Sequence, residues 1–179
     1  LIKNAEALEL ANKATVVVFD KTGTLTQGKP IVTDIVALGG FDEKKLWELS
    51  ASAEKHSEHP LALAILESAL AKKILLKEPQ EFEAIEGKGI WAKIGKDEVL
   101  IGTRKLMKEN GIEIGLEVEQ KIAGFETDAK TTVIVSVNKK AAGILAIADQ
   151  LKPTAKNAVE ALNKMGKTVW MISGDNERT

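Results

Sequence analysis

The sequence predicts an α/β domain interrupted by a second domain of α+β type. Three observations carry that expectation. A continuous apolar run from Thr15 to Phe19 ends in the polar loop Asp20 to Pro30, the pattern of a buried parallel strand that delivers polar residues at its carboxyl end. Toward the other end, a helical pattern opening at Pro153 leads into a second apolar run, Thr168 to Ile172. Between them lie a helical hairpin and short β-prone runs separated by glycine turns, which read as antiparallel strands. The expected division is 1–34 with 147–179 for the outer domain and 35–146 for the inserted one.

Each element has a local reason. Leu1, Ala5, Leu8 and Ala11 recur at helical spacing, so Leu1 to Lys13 reads as an amphipathic helix ahead of the first strand. Gly23, Gly28 and Pro30 then allow a loop and no regular continuation. Leu46, Leu49 and Ala53 place a helix from Asp42 to His56. Pro60 suits the first turn of the next helix, which carries Leu61, Ile65, Leu66 and Ala69. Glu81 to Glu86, Gly89 to Ile94 and Asp97 to Ile101 read as strands joined at Gly87-Lys88-Gly89 and Gly95-Lys96-Asp97. A helix over 104–109 closes at Asn110-Gly111, another covers 116–128, and strands over 131–137 and 142–148 join through Asn138-Lys139-Lys140. The last helix turns Ala158, Val159 and Leu162 inward and is capped by Gly166.

Composition narrows the function. The 179 residues carry 25 Lys and Arg against 26 Asp and Glu, a net charge of −1, and 44% are hydrophobic, as in an ordinary globular chain. Balanced charge, four Phe, three Trp and no Tyr give neither the basic footprint nor the stacking platforms of a nucleic-acid binder. Without cysteine there is no disulfide, thiolate metal site or cysteine nucleophile, which suits a reducing compartment. No run approaches the roughly 20 apolar residues of a membrane span, and the first residues lack a signal peptide's apolar core. The chain is therefore expected to be soluble.

The chemistry gathers where the apolar runs end. Asp20 is the candidate nucleophile: a carboxylate at a strand end can attack phosphorus while the hydroxyls of Thr22, Thr24 and Thr26 and the N–H groups around Gly23 hold the phosphoryl oxygens. If the two strands are neighbours, the Ser173 hydroxyl and Asp175 converge on Asp20 through Ser173-Gly174-Asp175-Asn176, and a phosphate with its Mg²⁺ sits there. His56 and His59 flank Ser57 and Glu58 ahead of a helix. As a metal site they need a third ligand that the sequence does not identify. Gly87-Lys88-Gly89-Ile90-Trp91-Ala92 has loose GxGxxG/A spacing but opens no helix, and Asp97 stands where a P-loop needs a hydroxyl. The lysines at 72, 73, 139 and 140 read as solvated surface.

The string Asp20-Lys21-Thr22-Gly23-Thr24-Leu25-Thr26 resembles the phosphorylation sequence of the P-type ion-pumping ATPases, within the haloacid-dehalogenase-like fold group. The resemblance implies a partial Rossmann-like, haloacid-dehalogenase-like phosphorylation domain with an inserted α+β nucleotide-binding domain built on an antiparallel sheet. It implies Asp20, Lys21, Thr22 and Thr24 as catalytic residues, with Asp20 and Thr22 toward Mg²⁺. Ser173, Gly174 and Asp175 resemble the family's TGD segment and are implied as phosphate contacts, Ser replacing Thr. Hydrolytic phosphatases of the fold group carry an aspartate general acid and base two residues after the nucleophile, where Thr22 stands here.

The string Ser57-Glu58-His59-Pro60-Leu61-Ala62 resembles the nucleotide-domain signature of the heavy-metal branch. There Glu58 and His59 are implied to read the purine. Gly87 and Gly89 are implied to let backbone approach the nucleotide, and Gly102 matches the glycine-asparagine step with Thr103 in the asparagine position. Asp149 and Lys152 are implied as a hinge. ATP and Mg²⁺ are the expected substrate and cofactor, and the membrane and actuator domains of a parent pump the expected partners. The segment is then a cytosolic part of an integral membrane protein, with copper favoured over zinc or cadmium by a prior about the branch. The family's downstream lysine and GDGxND-type segment are absent from the sequence, so no transport and little autophosphorylation are expected. The rival readings are a haloacid-dehalogenase-like phosphatase with a cap domain, which Thr22 opposes, and a histidine-based metal-binding module.

Overall fold

The computed structural model describes residues 4–172. By its internal contacts the chain divides into two units, 4–29 with 149–172 and 30–148. No helix among the described residues is long and apolar enough to cross a membrane.

The first unit holds helix α1 (Ala5–Lys13), strand β1 (Val16–Asp20), helix α6 (Ala155–Lys164) and strand β8 (Thr168–Ile172). β1 and β8 pair in parallel, with Asp20 opposite Ile172, so the two apolar runs are neighbours and end at the same edge. Thr168 N–H donates to the Thr15 carbonyl at 2.8 Å, which starts the register. α6 stops where Gly166, at φ 71°, enters the left-handed region and Lys167 N–H returns to the Leu162 carbonyl. The expected burial of these strands is not met among the described residues. Val16 and Val18 are 49% and 53% exposed, and Trp170 and Ile172 are 63% and 64% exposed. A two-stranded ribbon beside α6 has too few layers to cover both faces.

The second unit is a six-stranded antiparallel sheet in the order β2-β7-β6-β5-β4-β3. Its strands are β2 (Thr26–Ala37), β3 (Glu81–Ile85), β4 (Gly89–Ile94), β5 (Asp97–Gly102), β6 (Thr131–Val137) and β7 (Lys140–Leu151), of which β2 and β7 carry the chain between the units. Alternation sorts the side chains onto two faces. Val99, Ile101, Val135, Val137, Leu145 and Ile147 face Leu46, Leu49 and Ile65 of α2 (Glu43–Ala53) and α3 (Pro60–Ala71). Leu100, Ile134 and Ile144 face Leu106, Met107 and Ile122 of α4 (Arg104–Glu109) and α5 (Leu116–Thr127). Both faces of this sheet are thus covered by helices.

Local chemistry fixes the connections. Val137 pairs with Lys140 across Asn138 and Lys139, both at positive φ, which is what a two-residue type I′ hairpin requires. Asp42 caps α2 by accepting from Lys45 N–H at 3.0 Å. Thr103 caps α4 through Leu106 N–H. The strand β2 was not expected: Gly28 and Pro30 read as breakers, yet on an edge strand a missing N–H faces no partner. β7 also runs further than expected, from Lys140 to Leu151, around a register shift at Val135 and Ser136.

At Gly143 a Cβ would lie 2.2 Å from Leu46 Cδ2 and 2.8 Å from the Val36 carbonyl oxygen, so α2 lies hard on β7 there. Leu46 is fully buried at this contact. We expect Leu46→Ala to lower the unfolding free energy of the 30–148 unit by about 2–5 kcal/mol, read by urea denaturation with Trp47 fluorescence as the probe. A loss below about 1 kcal/mol would show that the contact collapses without a cavity.

Candidate functional site

In the first unit β1 delivers Asp20 to its carboxyl end, where the carboxylate is exposed, and the chain turns sharply through Lys21–Leu25 with Gly23 at φ 75°. An L side chain is strained in that conformation, which explains Gly23. Thr22 and Thr24 are exposed beside it, and Lys21 is half-buried. Thr26, by contrast, is buried and works for the loop: its hydroxyl accepts from Gly23 N–H at 3.0 Å and lies 2.5 Å from Asp149 Oδ2.

Asp149 is far more than a linker residue. Its Oδ2 accepts from Gly28 N–H and its Oδ1 from Lys29 N–H, each at 3.0 Å. Lys152 adds two ties, its N–H to the Leu25 carbonyl at 2.9 Å and its Nζ to the Gly23 carbonyl at 2.6 Å. Lys152 therefore holds the turn that follows Asp20 at Gly23 and Leu25, and the Asp149 carboxylate holds the segment just after it. Ser173, Gly174 and Asp175 lie outside the described residues.

In the second unit a cavity of about 360 Å³ opens between the α2–α3 connection and the β4–β5 edge of the sheet. Glu54, Ser57 and His59 line it from the connection, Gly87, Lys88 and Gly89 from the β3–β4 hairpin, Gly102 and Thr103 from the end of β5, and Thr131 and Thr132 from β6. The volume is within the range of small-ligand pockets. His59 is the N-cap of α3: its Nδ1 accepts from Leu61 N–H at 3.1 Å, so the neutral ring carries its proton on Nε2. Pro60, with no N–H to satisfy, follows in the first turn.

The glycines have a stronger reason than room for a ligand. Gly89 and Gly102 are cross-strand partners. A Cβ on Gly89 would lie 2.0 Å from the Ile101 carbonyl oxygen, and one on Gly102 would lie 2.2 Å from that of Lys88. Backbone therefore meets backbone at this wall of the cavity, and any side chain would force the strands apart. Gly87 differs: a Cβ there meets nothing within 4 Å, and its φ of 65° is what favours glycine.

Glu54 and Glu86 bring carboxyls to the cavity lining, Glu54 buried and Glu86 exposed, whereas Glu58 is exposed and is not part of the lining. Sequence reading passed over Glu54, although it continues the buried α2 face of Leu46 and Ser50 at four-residue steps. Burial pushes its carboxyl up to about 7, against a weaker opposing hydrogen bond from Ser57. His56, the other histidine, points elsewhere, with Nε2 2.9 Å from Glu78 Oε1 and its ring edge-on to Phe82. Among the described residues no group of three or more His, Asp or Glu side chains could hold a metal ion, and the two imidazoles have separate partners, the α3 N-terminus for His59 and the Glu78 carboxylate for His56.

Comparison with known proteins gives one consistent picture. A family model described as haloacid dehalogenase-like hydrolase matches residues 14–179. A probable copper-exporting P-type ATPase of Archaeoglobus fulgidus is 51% identical over the whole chain, which spans 22% of that protein. A copper-exporting P-type ATPase of Bacillus subtilis is 42% identical, again over the whole chain and 22% of its own length. A zinc-transporting PIB-type ATPase in an E2.Pi state superposes with a TM-score of 0.85 at 36% identity, covering 99% of this chain and 28% of that one.

Two outcomes follow from the geometry. Asp149→Ala strips the acceptors from Gly28 and Lys29, and their amide hydrogen exchange should accelerate about tenfold while that of the β5–β6 core stays fixed. Glu54 gives stability a pH dependence. Its folded-state value of about 7 exceeds the ordinary 4.5, so between the two the folded chain binds more protons than the unfolded one. Stability should therefore fall as pH rises from 4.5 through 7, by up to about 3 kcal/mol, and level off above. Urea unfolding of Glu54→Gln across this range should lose that slope, and an unchanged slope would show that the carboxyl ionises without cost.

Proposed function

The chain belongs to the haloacid dehalogenase-like hydrolase family and matches, end to end, the catalytic part of P-type ATPases, and on that footing we propose that it binds ATP and carries the phosphorylated aspartate of a heavy-metal exporter. The observation that carries the nucleotide half is the cavity that joins a backbone wall at Gly89 and Gly102 to the His59 ring and the Glu54 carboxyl. Copper as the transported substrate is supported by the relatives matched over the whole chain, a probable copper exporter at 51% identity and a copper exporter at 42%.

In this reading the purine enters the cavity against Gly87, Gly89 and Gly102. His59, whose Nδ1 is committed to its helix, stacks on the base or donates from Nε2. Glu54 in its ionised form accepts from the 6-amino group, which favours adenine over guanine because guanine presents an oxygen there. Glu58, implied at first as the partner of His59, is given no contact. The Asp20 carboxylate attacks the γ-phosphorus and ADP departs with the displaced oxygen, leaving an aspartyl phosphate. Lys21, Thr22 and Thr24 steady the phosphoryl oxygens, with Ser173, Gly174 and Asp175 as further contacts. Thr22 supplies no general base, so the acyl phosphate persists in place of rapid hydrolysis.

Asp20 and Thr22 offer oxygen donors alone, and a hard cation such as Mg²⁺, which binds through one or two carboxylates plus phosphate and water, fits that set. Bound there, Mg²⁺ would neutralise phosphate charge. Asp149 and Lys152 keep the Asp20 loop in one conformation, so the nucleophile is aimed before ATP arrives.

Calorimetric titration with a non-hydrolysable ATP analogue tests the nucleotide assignment, with a GTP analogue as control. The adenine analogue should bind selectively, and His59→Ala should weaken it by about 1–2 kcal/mol, or roughly 5- to 30-fold. Equal affinity in a folded His59→Ala chain would remove His59 from the site.

A further inference from the structure

One short turn sends titratable side chains opposite ways. Glu54–His56 follows α2 directly, and within it Glu54 is 7% exposed and lines the glycine-walled cavity, whereas Lys55 and His56 reach outward to the Glu78 carboxylate. Glu54 is thereby separated from the two cations nearest to it in sequence. Among the described residues no lysine, arginine or histidine makes an ion pair with its carboxyl, and a hydrogen bond from Ser57 is its support.

The elements around Glu54 do not supply the missing charge. Lys88 comes from the β3–β4 hairpin, but its Nζ donates to Glu109 Oε2 at 2.7 Å. Glu86, from the same hairpin, adds a second carboxylate to the lining and so favours the neutral form of the first. His59 has its Nδ1 engaged by Leu61 N–H, and Glu58 is exposed outside the lining. The last turn of α2, from Ser50 to Ala53, holds no charged residue. From α3 and from strands β3 to β6 the lining is apolar, glycine or threonine. A carboxylate here lacks both water and a counter-charge, which is the condition that keeps a carboxyl protonated. Burial accordingly pushes it up to about 7.

Resting on the nucleotide reading of this cavity, we propose that base binding is coupled to the release of one proton: Glu54 waits as the neutral acid and gives its proton to solvent when the 6-amino group of adenine arrives, so that acidification empties the site. The balance is simple. The carboxyl O–H bond breaks, the proton passes to water or buffer, and the carboxylate left behind accepts from the amino N–H. That charge-assisted hydrogen bond is stronger than the one a neutral acid accepts, and it supplies the partner that the free cavity lacks. Because the ligand favours the form with fewer bound protons, affinity rises with pH up to about 7 and is flat above it. The site is then sensitive to pH close to neutrality, through a group that no other part of the proposed reaction uses.

The test is calorimetric titration with adenosine, which carries no phosphate to titrate, on the chain and on Glu54→Gln. It is run at about pH 6 and about pH 8, each in two buffers of different ionisation enthalpy, so that the difference in heat counts protons. The chain should release about 0.9 proton per adenosine at the lower pH and about 0.1 at the higher, and bind about tenfold more weakly at the lower. Glu54→Gln keeps the shape and a carbonyl acceptor, so its affinity should differ by less than about twofold between the two conditions, with Trp47 fluorescence reporting that it is folded. The proton count on the unaltered chain stands whether or not the variant folds. Adenosine bound at the lower pH without proton release would overturn the coupling and leave the nucleotide cavity standing. Affinity that rises on acidification would show the neutral acid donating to the ring, and overturn it equally. Release that survives in folded Glu54→Gln would place the proton on another group, His59 first among them. No binding of adenosine by the folded chain in either condition would overturn the coupling and the nucleotide reading together.

Discussion

The approach of β4 to β5 at Gly89 and Gly102 is the constraint from which the second unit's site is built. A Cβ at either position would sit closer than about 3 Å to a carbonyl oxygen of the other strand, so only glycine permits this pairing. The pairing in turn places the Gly87 hairpin and the start of α4 on opposite sides of one hollow. The Thr103 hydroxyl is committed to capping α4, and its N–H to the Lys88 carbonyl at 2.9 Å, which fastens hairpin and helix together. His59 completes the hollow from the other side, and it too is a cap. Two helix starts and one glycine pair thus fix the site on rigid elements, as a preorganised binding surface needs.

A different economy governs the first unit. The turn after Asp20 has few apolar contacts to hold it, since Thr22, Gly23 and Thr24 are all exposed. Its shape is instead imposed by hydrogen bonds from residues more than a hundred positions away in sequence, Lys152 to Gly23 and Leu25 and Asp149 to Thr26, Gly28 and Lys29 just after it. Asp149 does this at the very point where β7 enters the unit, so the strand that returns from the inserted unit is also the strap on the loop. The glycine and threonine pattern of the loop is legible from this: Gly23 supplies the left-handed turn, Thr26 the hydroxyl that relays Asp149 to it.

Much of this could be read from residue order, and the failures have physical causes. Period-two alternation in β5, β6 and β7, turn residues at Gly95 and Asn138-Lys139, and the caps at Asp42 and Thr103 are local signals, and the elements they bound are the ones anticipated. The polar turn after Asp20 was legible because Gly23 and the threonines around it leave no regular continuation of the strand. β2 was missed because Pro30 looks the same to a propensity argument at an edge as in a sheet centre, and edge position is a property of topology. Glu54 was not singled out because its inward turn comes from the single turn Glu54–His56, which residue order does not announce, while Glu58, implied with His59 by resemblance, lies in solvent. The burial of β1 was overread because an apolar run reports a preference, and coverage needs layers on both sides.

Glu54 and Thr22 show opposite choices about a carboxylate at two places in this chain. A carboxyl inside the cavity costs stability when ionised, which is why burial drives it up to about 7; on the proposed reading it is retained because a stacking surface alone would hold any base. At the phosphorylation loop the reverse choice is made: the position two after Asp20, where a second carboxylate would sit against the first, holds a neutral hydroxyl. On the proposed reading, a neighbouring acid there would activate water against the acyl phosphate, and a threonine cannot. The residue choice would then protect the product of the proposed phosphorylation, which is what an enzyme that holds phosphorylation energy long enough to change conformation needs.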